Sequence, residues 1–388
     1  MWELTLPRTL VIGEDALDYL RCLRGERALV ITDRVLASLG LAERVASLLR
    51  EAGLEVRVFD RVEPEPSRRV VEEAVHLARE FEPDWIIGLG GGSCMDVAKA
   101  AFVLYERPDL TLDEIAPLAE LGLRKKARLL NIPTTSGTGS EATWAIVITD
   151  EREKRKMELA SREVVADVAI LDPSLPASMP PRLTADTGLD ALTHALEAYV
   201  SRWHNDFSDA LALWAIRAVF RYLPRAYRNG QDAEAREKLH NAATMAGMAF
   251  SNSQICIAHA MGHALGALFK VPHGRSVAVF LPYTIEYNAR AAADRYAEVA
   301  DALGLGGEDA AEKTAKLVEA VRALLREVDG PLSVADLGIR RADYEARLED
   351  LVDRAMSSTG TVANPRDVGR QEYARLFICA YEGKPVDF

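Results

Sequence analysis

WIIGLGGGSCMDVAK, residues 85–99, decides the fold of the first half of this chain. A short apolar, β-branched run from Trp85 to Gly88 enters glycines at 88, 90, 91 and 92, then Ser93, and helical spacing begins at once. Glycines admit close backbone approach and positive φ. A helix start offers free N–H groups and the positive end of its dipole. A buried strand, a tight glycine turn and a helix therefore predict a pyrophosphate-sized anion site. The alternative is a tight strand-to-helix turn with no ligand, because the spacing is not G-x-G-x-x-G.

The same alternation runs outward from this turn. Residues 28–32 (ALVIT), 55–59 and 128–132 read as further strands, and 36–52 and 67–81 as helices. Strand and helix in turn predict a parallel sheet covered on both faces. A second small-residue loop, NIPTTSGTGSE at 131–141, follows the strand at 128–132. Two such loops at the carboxyl ends of strands in one sheet mark the edge where open α/β sheets bind ligands. Asp33, at the end of the strand before it, can accept hydrogen bonds from a ribose and repel a 2′-phosphate. It can also cap the helix that follows.

The passage DPSLPASMPPRL, residues 172–183, carries four prolines, which forbid a regular element there. Beyond it the strand signal fades, and 185–200, 206–223, 233–250 and 288–303 read as helices. The expected architecture is an α/β domain with a parallel sheet over residues 1–180, binding a dinucleotide, and an all-α domain over 181–388.

Four of the seven histidines fall into a pattern in that second half. Asp190 and His194 are four apart in DALTH, His259 and His263 four apart in HAMGH, and His273 follows in VPHG. Residues i and i+4 share a helix face, so each pair can aim at one point, and carboxylate plus imidazole suits a divalent metal. An Asp190 in an otherwise apolar helix is a buried charge, which needs a partner. Read singly, His259 and His263 are hydrogen-bonded core residues, His273 is a turn residue between Pro272 and Gly274, and Asp190 pairs with a nearby Arg.

Net charge is −12, with a pI near 5.2. There is no basic cluster beyond short runs such as 152–156, so neither nucleic acid nor an anionic membrane is an expected partner. The four cysteines are scattered without a C-x-x-C pair, which argues against a disulfide framework. The start shows no secretory pattern and no apolar stretch is long enough to span a bilayer. A cytoplasmic protein is expected.

Taken together, GGGSCMD at 90–96, PTTSGTGSE at 133–141, DPSL at 172–175, GLDALTHALE at 188–197 and HAMGHALGALFKVPHG at 259–274 resemble the iron-dependent (group III) alcohol dehydrogenase family. The resemblance covers nearly the whole chain. It implies a dehydroquinate synthase-like architecture and reversible hydride transfer between a primary alcohol or diol and NAD, with NADP as the alternative. It implies metal ligands Asp190, His194, His259 and His273, holding Fe(II), or Zn, and places His263 beside the nicotinamide as a proton relay. Gly91, Gly92, Ser93 and Asp96 are implied at the pyrophosphate. Thr134, Thr135, Thr138, Lys156 and Leu175 are implied along the cofactor, and Asp33 at the ribose. It also implies a homodimer or higher even homo-oligomer, acting on a small alcohol or aldehyde. Glu65 stands where the family commonly has Asn near the adenine end, and a carboxylate there further disfavours a 2′-phosphate. The competing readings are a hydroxyacid–oxoacid transhydrogenase, a glycerol dehydrogenase-like enzyme and a non-catalytic nucleotide-binding protein.

Overall fold

The computed structural model describes residues 3–117, 119–151 and 155–388, so positions 152–154 of the short basic run lie outside the described residues. The chain divides into two compact units, Met1–Ser178 and Met179–Phe388.

The first unit contains β1 (Thr9–Ile12), β2 (Arg27–Asp33), β3 (Glu55–Val62), β4 (Trp85–Gly90), β5 (Arg128–Pro133), β6 (Ala145–Asp150), β7 (Arg155–Ala160) and β8 (Val168–Leu171). Six of them form one sheet in the order β1-β8-β5-β4-β2-β3, with every pairing parallel. Among the described residues the α-helices of this unit are α1 (Arg34–Ser38), α2 (Leu41–Glu51), α3 (Arg68–Phe81) and α4 (Gly92–Glu106). Alternate residues of the central strands feed two apolar layers. Leu29, Ile31, Ile86 and Leu129 pack with α3 and α4. Val30, Ile87, Leu89, Leu130 and Ile132 pack with Val45 and Leu49 of α2. That is why β4 is buried at all six positions and reads as a continuous apolar run.

The structure departs from the expected elements at three places in this unit. The helix expected over 36–52 is two helices, because Gly40 takes a positive φ of 80° between α1 and α2. The edge strand β1 and the four-residue β8 carry too few residues for a period to show. The antiparallel hairpin β6–β7 was also not foreseen, since β7 reads RKMELA, a largely polar segment.

The second unit is helical: α5 (Pro181–Val200), α6 (Asp206–Arg228), α7 (Ala233–Ser251), α8 (Ile257–Phe269), α9 (His273–Ala278), α10 (Leu281–Ala302), α11 (Ala310–Glu327), α12 (Arg341–Glu345), α13 (Leu348–Ser357), α14 (Thr359–Ala363) and α15 (Arg370–Glu382). The proline passage does not exclude a helix to its end. Pro181 opens α5, where its missing N–H costs nothing and its fixed φ suits the first turn. The helix expected from 288 begins seven residues earlier, at Leu281, and holds one non-helical residue, Ala292. α5 lies in the middle of its unit, and every residue from Gly188 to Val200 is buried. Gly188 allows α6 that close, because a Cβ there would lie 2.4 Å from Leu223. Among the described residues no helix is long and apolar enough to cross a membrane.

Candidate metal and nucleotide sites

The glycine turn is built as its sequence requires. Gly90 closes β4 with φ +149°, and a Cβ there would lie 2.6 Å from Cys94 Sγ, so only glycine fits. Gly91 precedes α4 and no side chain caps that helix, so its first turn keeps N–H groups for a ligand. The Ser/Thr/Gly loop lies against it, in register through Gly90 and Pro133 and through a bond from Thr134 N–H to the Gly90 carbonyl, 3.0 Å. A Cβ on Gly91 would sit 3.5 Å from Thr135 Oγ1, and one on Gly92 3.0 Å from Thr138 Cγ2. The two loops thus form one cradle of glycine backbone and threonine side chains, which extra side chains would fill. It fits a dinucleotide's pyrophosphate.

Asp96 braces this cradle. Its carboxylate accepts from Ser140 Oγ at 2.8 Å and from Val147 N–H at 3.0 Å. Lys99, wholly buried one turn on, donates to Ser140 Oγ, Thr143 Oγ1 and the Ala145 carbonyl at 2.8, 3.1 and 3.0 Å. Burial without water pulls its pKa down to about 8, against the attraction of Asp96 and Glu141. Asp33 does cap α1, accepting from Leu36 N–H at 2.9 Å. Its other oxygen lies 3.6 Å from Cys94 Sγ, so it borders the glycine turn. Lys156 is ion-paired with Glu65 at 3.1 Å. Glu65 itself sits at φ 55°, a left-handed conformation that Asn adopts more readily. Leu175 is buried in the apolar layer with Leu17, Leu130 and Ile170.

In the second unit Asp190, His194, His259 and His273 converge, with one ligand atom of each within 4.8 Å of all the others. Asp190 Oδ1 lies 3.8 Å from His194 Nδ1, 3.5 Å from His259 Nε2 and 3.3 Å from His273 Nε2. Among the described residues Asp190 Oδ1, His194 Nδ1 and His259 Nε2 are buried without a hydrogen-bond partner. A buried polar atom left so costs about 1–3 kcal/mol, and three aimed at one point fit a cation. His194 is wedged between the rings of Phe250 and His259, at centroid distances of 4.3 and 4.2 Å. Burial pushes its pKa well below the usual range, so the ring is neutral and offers a lone pair. Burial would raise Asp190, but His194 and His273 outweigh it and hold the carboxyl well below the usual range. His263 is half-buried beside the cluster, its ring centroid 5.8 Å from that of His259 and 5.2 Å from that of His273.

One more carboxylate belongs to this cluster. Glu197 follows Asp190 and His194 on the same face of α5 and is 4% exposed. It accepts from Ala258 N–H at 2.6 Å, His259 N–H at 3.3 Å and His259 Nδ1 at 2.6 Å. It therefore satisfies the first N–H groups of α8 and fixes the Nδ1–H tautomer of His259, leaving Nε2 to face Asp190. Burial lowers the His259 pKa, but Glu197 and Asp190 outweigh it and push it up to about 9.

Two family models match. One described as iron-containing alcohol dehydrogenase covers residues 7–173, and one described as the C-terminal part of the Fe-containing alcohol dehydrogenase family covers 184–381. The chain belongs to the iron-containing alcohol dehydrogenase family. An NADPH-dependent butanol dehydrogenase of Clostridium saccharobutylicum is 41% identical, with all of both chains covered. A bifunctional aldehyde-alcohol dehydrogenase of Escherichia coli (strain K12) is 40% identical over 92% of this chain, which spans 43% of that longer protein. The crystal structure of a 1,3-propanediol oxidoreductase superposes with a TM-score of 0.93 at 33% identity, covering 98% of this chain and all of that one.

The fold is accordingly the dehydroquinate synthase-like one of this family, and the chain is a metal-dependent alcohol dehydrogenase linked to a nicotinamide cofactor. In this iron-containing alcohol dehydrogenase the last residue of GLDALTHALE, Glu197, has a role that its motif alone does not announce. The signal was present: Glu197 stands seven after Asp190 and three after His194, at helical spacing on their face.

Proposed function

We propose that this enzyme catalyses reversible hydride transfer between a small primary alcohol or diol and NAD, with one divalent cation held by Asp190, His194, His259 and His273. The observation that carries this reading is the convergence of three orphaned buried polar atoms and a third imidazole, that of His273, on one point. A cation there supplies Lewis acidity, which favours the alkoxide form of an alcohol. A carboxylate and imidazoles suit Fe(II) first, in keeping with the family, and Zn as the alternative. The neutral His194 offers a lone pair to the cation, and binding would displace the Nε2 proton that a pKa of about 9 leaves on His259, whose Nδ1–H Glu197 holds. His263, half-buried next to the cluster, is the proposed relay for the alcohol proton, because imidazole is a general acid–base group and its ring lies near those of His259 and His273.

The nucleotide reading rests on the first unit. Gly91, Gly92 and Ser93 offer N–H groups at the start of α4, and Thr134, Thr135 and Thr138 line the facing loop. Asp96 and Lys99 hold that loop in place. Asp33, bordering the turn, takes the ribose and repels a 2′-phosphate; Glu65 lies beyond the neighbouring strand end, where its charge is offset by Lys156. NAD is the reading this charge favours. The NADPH dependence named for the Clostridium relative favours the second reading, NADP. Lys156 and Leu175 are proposed along the cofactor, Lys156 through exchange of its Glu65 partner. Butanol and 1,3-propanediol, named for the relatives, set the size of alcohol expected.

The test is NADH formation from ethanol, butanol, 1,2-propanediol and 1,3-propanediol, with and without a chelator. Chelator-sensitive formation of NADH is the expected result. Exchange between two substrates without free NADH would instead identify a transhydrogenase, and no turnover with any of them would overturn the reading.

A further inference from the structure

The four ligand positions of the proposed cation site are not held alike. Asp190 and His194 lie in the twenty-residue α5 and His259 in the thirteen-residue α8, and all three are buried. His273 opens the six-residue α9, and its side chain is 34% exposed. A short helix has little stability of its own, so its place must be fixed by what it packs against.

Two glycines set that packing. A Cβ on Gly274 would lie 2.0 Å from the Asp186 carbonyl oxygen and 3.3 Å from Asp190 Cβ, so the residue after His273 rests directly on the backbone of α5. A Cβ on Gly262 would lie 2.5 Å from Val277 Cγ1 and 2.8 Å from its Cα, so α9 is pressed equally hard onto α8. One ion pair then locks the seat. Arg275 Nε donates to Asp186 Oδ1 at 2.9 Å and its Nη2 to the Asp329 carbonyl at 3.0 Å. Both side chains of the pair are largely buried, 14% and 9% exposed. Asp186 stands one helical turn before Asp190, so Arg275 ties α9 to α5 next to the carboxylate His273 must reach.

We infer that Asp186, Gly274 and Arg275 are positioning residues for His273, and that together they form a latch setting how long the centre retains its cation. This inference rests on the cation reading above. The three residues touch neither the cation nor a substrate; they act through the position of His273. Opening the latch swings out the one partly exposed ligand and leaves a three-ligand site, which loses its ion faster. Partners one step removed from the ligands change metal affinity about 10–100-fold.

The experiment loads the full chain with Zn(II) and follows release into excess chelator for wild type, Arg275→Gln, Arg275→Lys, Asp186→Asn and His273→Ala, with the melting temperature of each metal-free protein. The latch predicts release about 10–100-fold faster for Arg275→Gln and Asp186→Asn. Arg275→Lys, which keeps the charge but loses the two-pronged grip, falls between these and wild type. The double variant Arg275→Gln/Asp186→Asn, loaded and followed in the same way, releases no faster than either single one. Removing one partner of a largely buried pair lowers the metal-free melting temperature, so release is followed well below it, and faster release from fully folded protein separates a latch from a merely structural pair. Wild-type release rates in Arg275→Gln and Asp186→Asn, with fast release in His273→Ala, overturn the latch alone. Release from His273→Ala at the wild-type rate, or no zinc bound by wild type, overturns the cation reading itself. Gly274→Ala reaches the same displacement by another route: its methyl forces α9 off α5 and strains the Arg275–Asp186 pair with both side chains unaltered, and unchanged release there also counts against the latch.

Discussion

Replacing Glu197 by Gln changes one buried oxygen to an amide nitrogen and leaves the volume of the side chain almost untouched. In the native protein the carboxylate accepts from Ala258 N–H and His259 N–H through one oxygen and from His259 Nδ1 through the other, at 2.6 Å. In Glu197→Gln the amide oxygen stays on the two backbone donors, and the –NH2 group then faces Nδ1. His259 must take the other tautomer, putting its proton on Nε2, the atom that faces Asp190 Oδ1 at 3.5 Å. A hydrogen bond to a charged group contributes roughly 1.5–3 kcal/mol, which corresponds to about 10–100-fold in affinity and matches the usual effect of removing a partner behind a ligand. The assay is a competitive chelator titration with Zn(II) on the two proteins, with their metal-free melting temperatures measured alongside. We expect affinity to drop by that factor while the metal-free fold is retained. Zinc affinity within about threefold of wild type, in a folded Glu197→Gln protein, would refute the reasoning that Glu197 sets the His259 tautomer.

Three further outcomes are expected. Gly91→Ala adds a methyl that fits at 3.5 Å from Thr135 Oγ1 but fills the cradle; dissociation constants for NAD should rise about tenfold or more, some 1.4 kcal/mol, with metal content unchanged. Asp33→Gly should raise kcat/KM for NADP relative to NAD and lower stability by only a few tenths of a kcal/mol, on the order expected when Gly replaces an Asp cap; steady-state kinetics with both cofactors checks it. Lys99 bears on stability against pH. Its folded pKa of about 8 lies below the 10.5 of the free side chain, so between these values the unfolded chain binds a proton that the folded chain does not. Stability should therefore rise with pH across that window, by about 2 kcal/mol between about pH 7.5 and about pH 9.5, and denaturant unfolding of Lys99→Met should lack that component.

Much of this was legible in the sequence because the site residues sit on regular elements. Trp85 to Gly90 is buried on both sides, so its apolar run and the glycines behind it announce strand and turn together. Asp190 and His194 repeat at i and i+4 in a helix buried from Gly188 onward, which made a buried charge in need of a partner visible. What was not legible depends on contacts far apart in the chain. Gly40 looks like any glycine in a helical run, yet its positive φ splits that helix in two. Gly274 and Arg275 gain meaning only through Asp186, some ninety residues earlier. The spacing of His259 and His263 left both open as ligands. His259 has Nδ1 tied to the Glu197 carboxylate and Nε2 turned to Asp190, which favours it as the proposed ligand.

The central claim is that Asp190, His194, His259 and His273 hold one cation. Its most direct test is anomalous diffraction at the zinc edge from crystals of the zinc-loaded protein. The account predicts a single strong peak bonded to all four side chains at about 2.0–2.2 Å, with His263 outside the bonding distance. A peak bonded to His263 in place of His259, or the absence of any peak among these side chains, would contradict it.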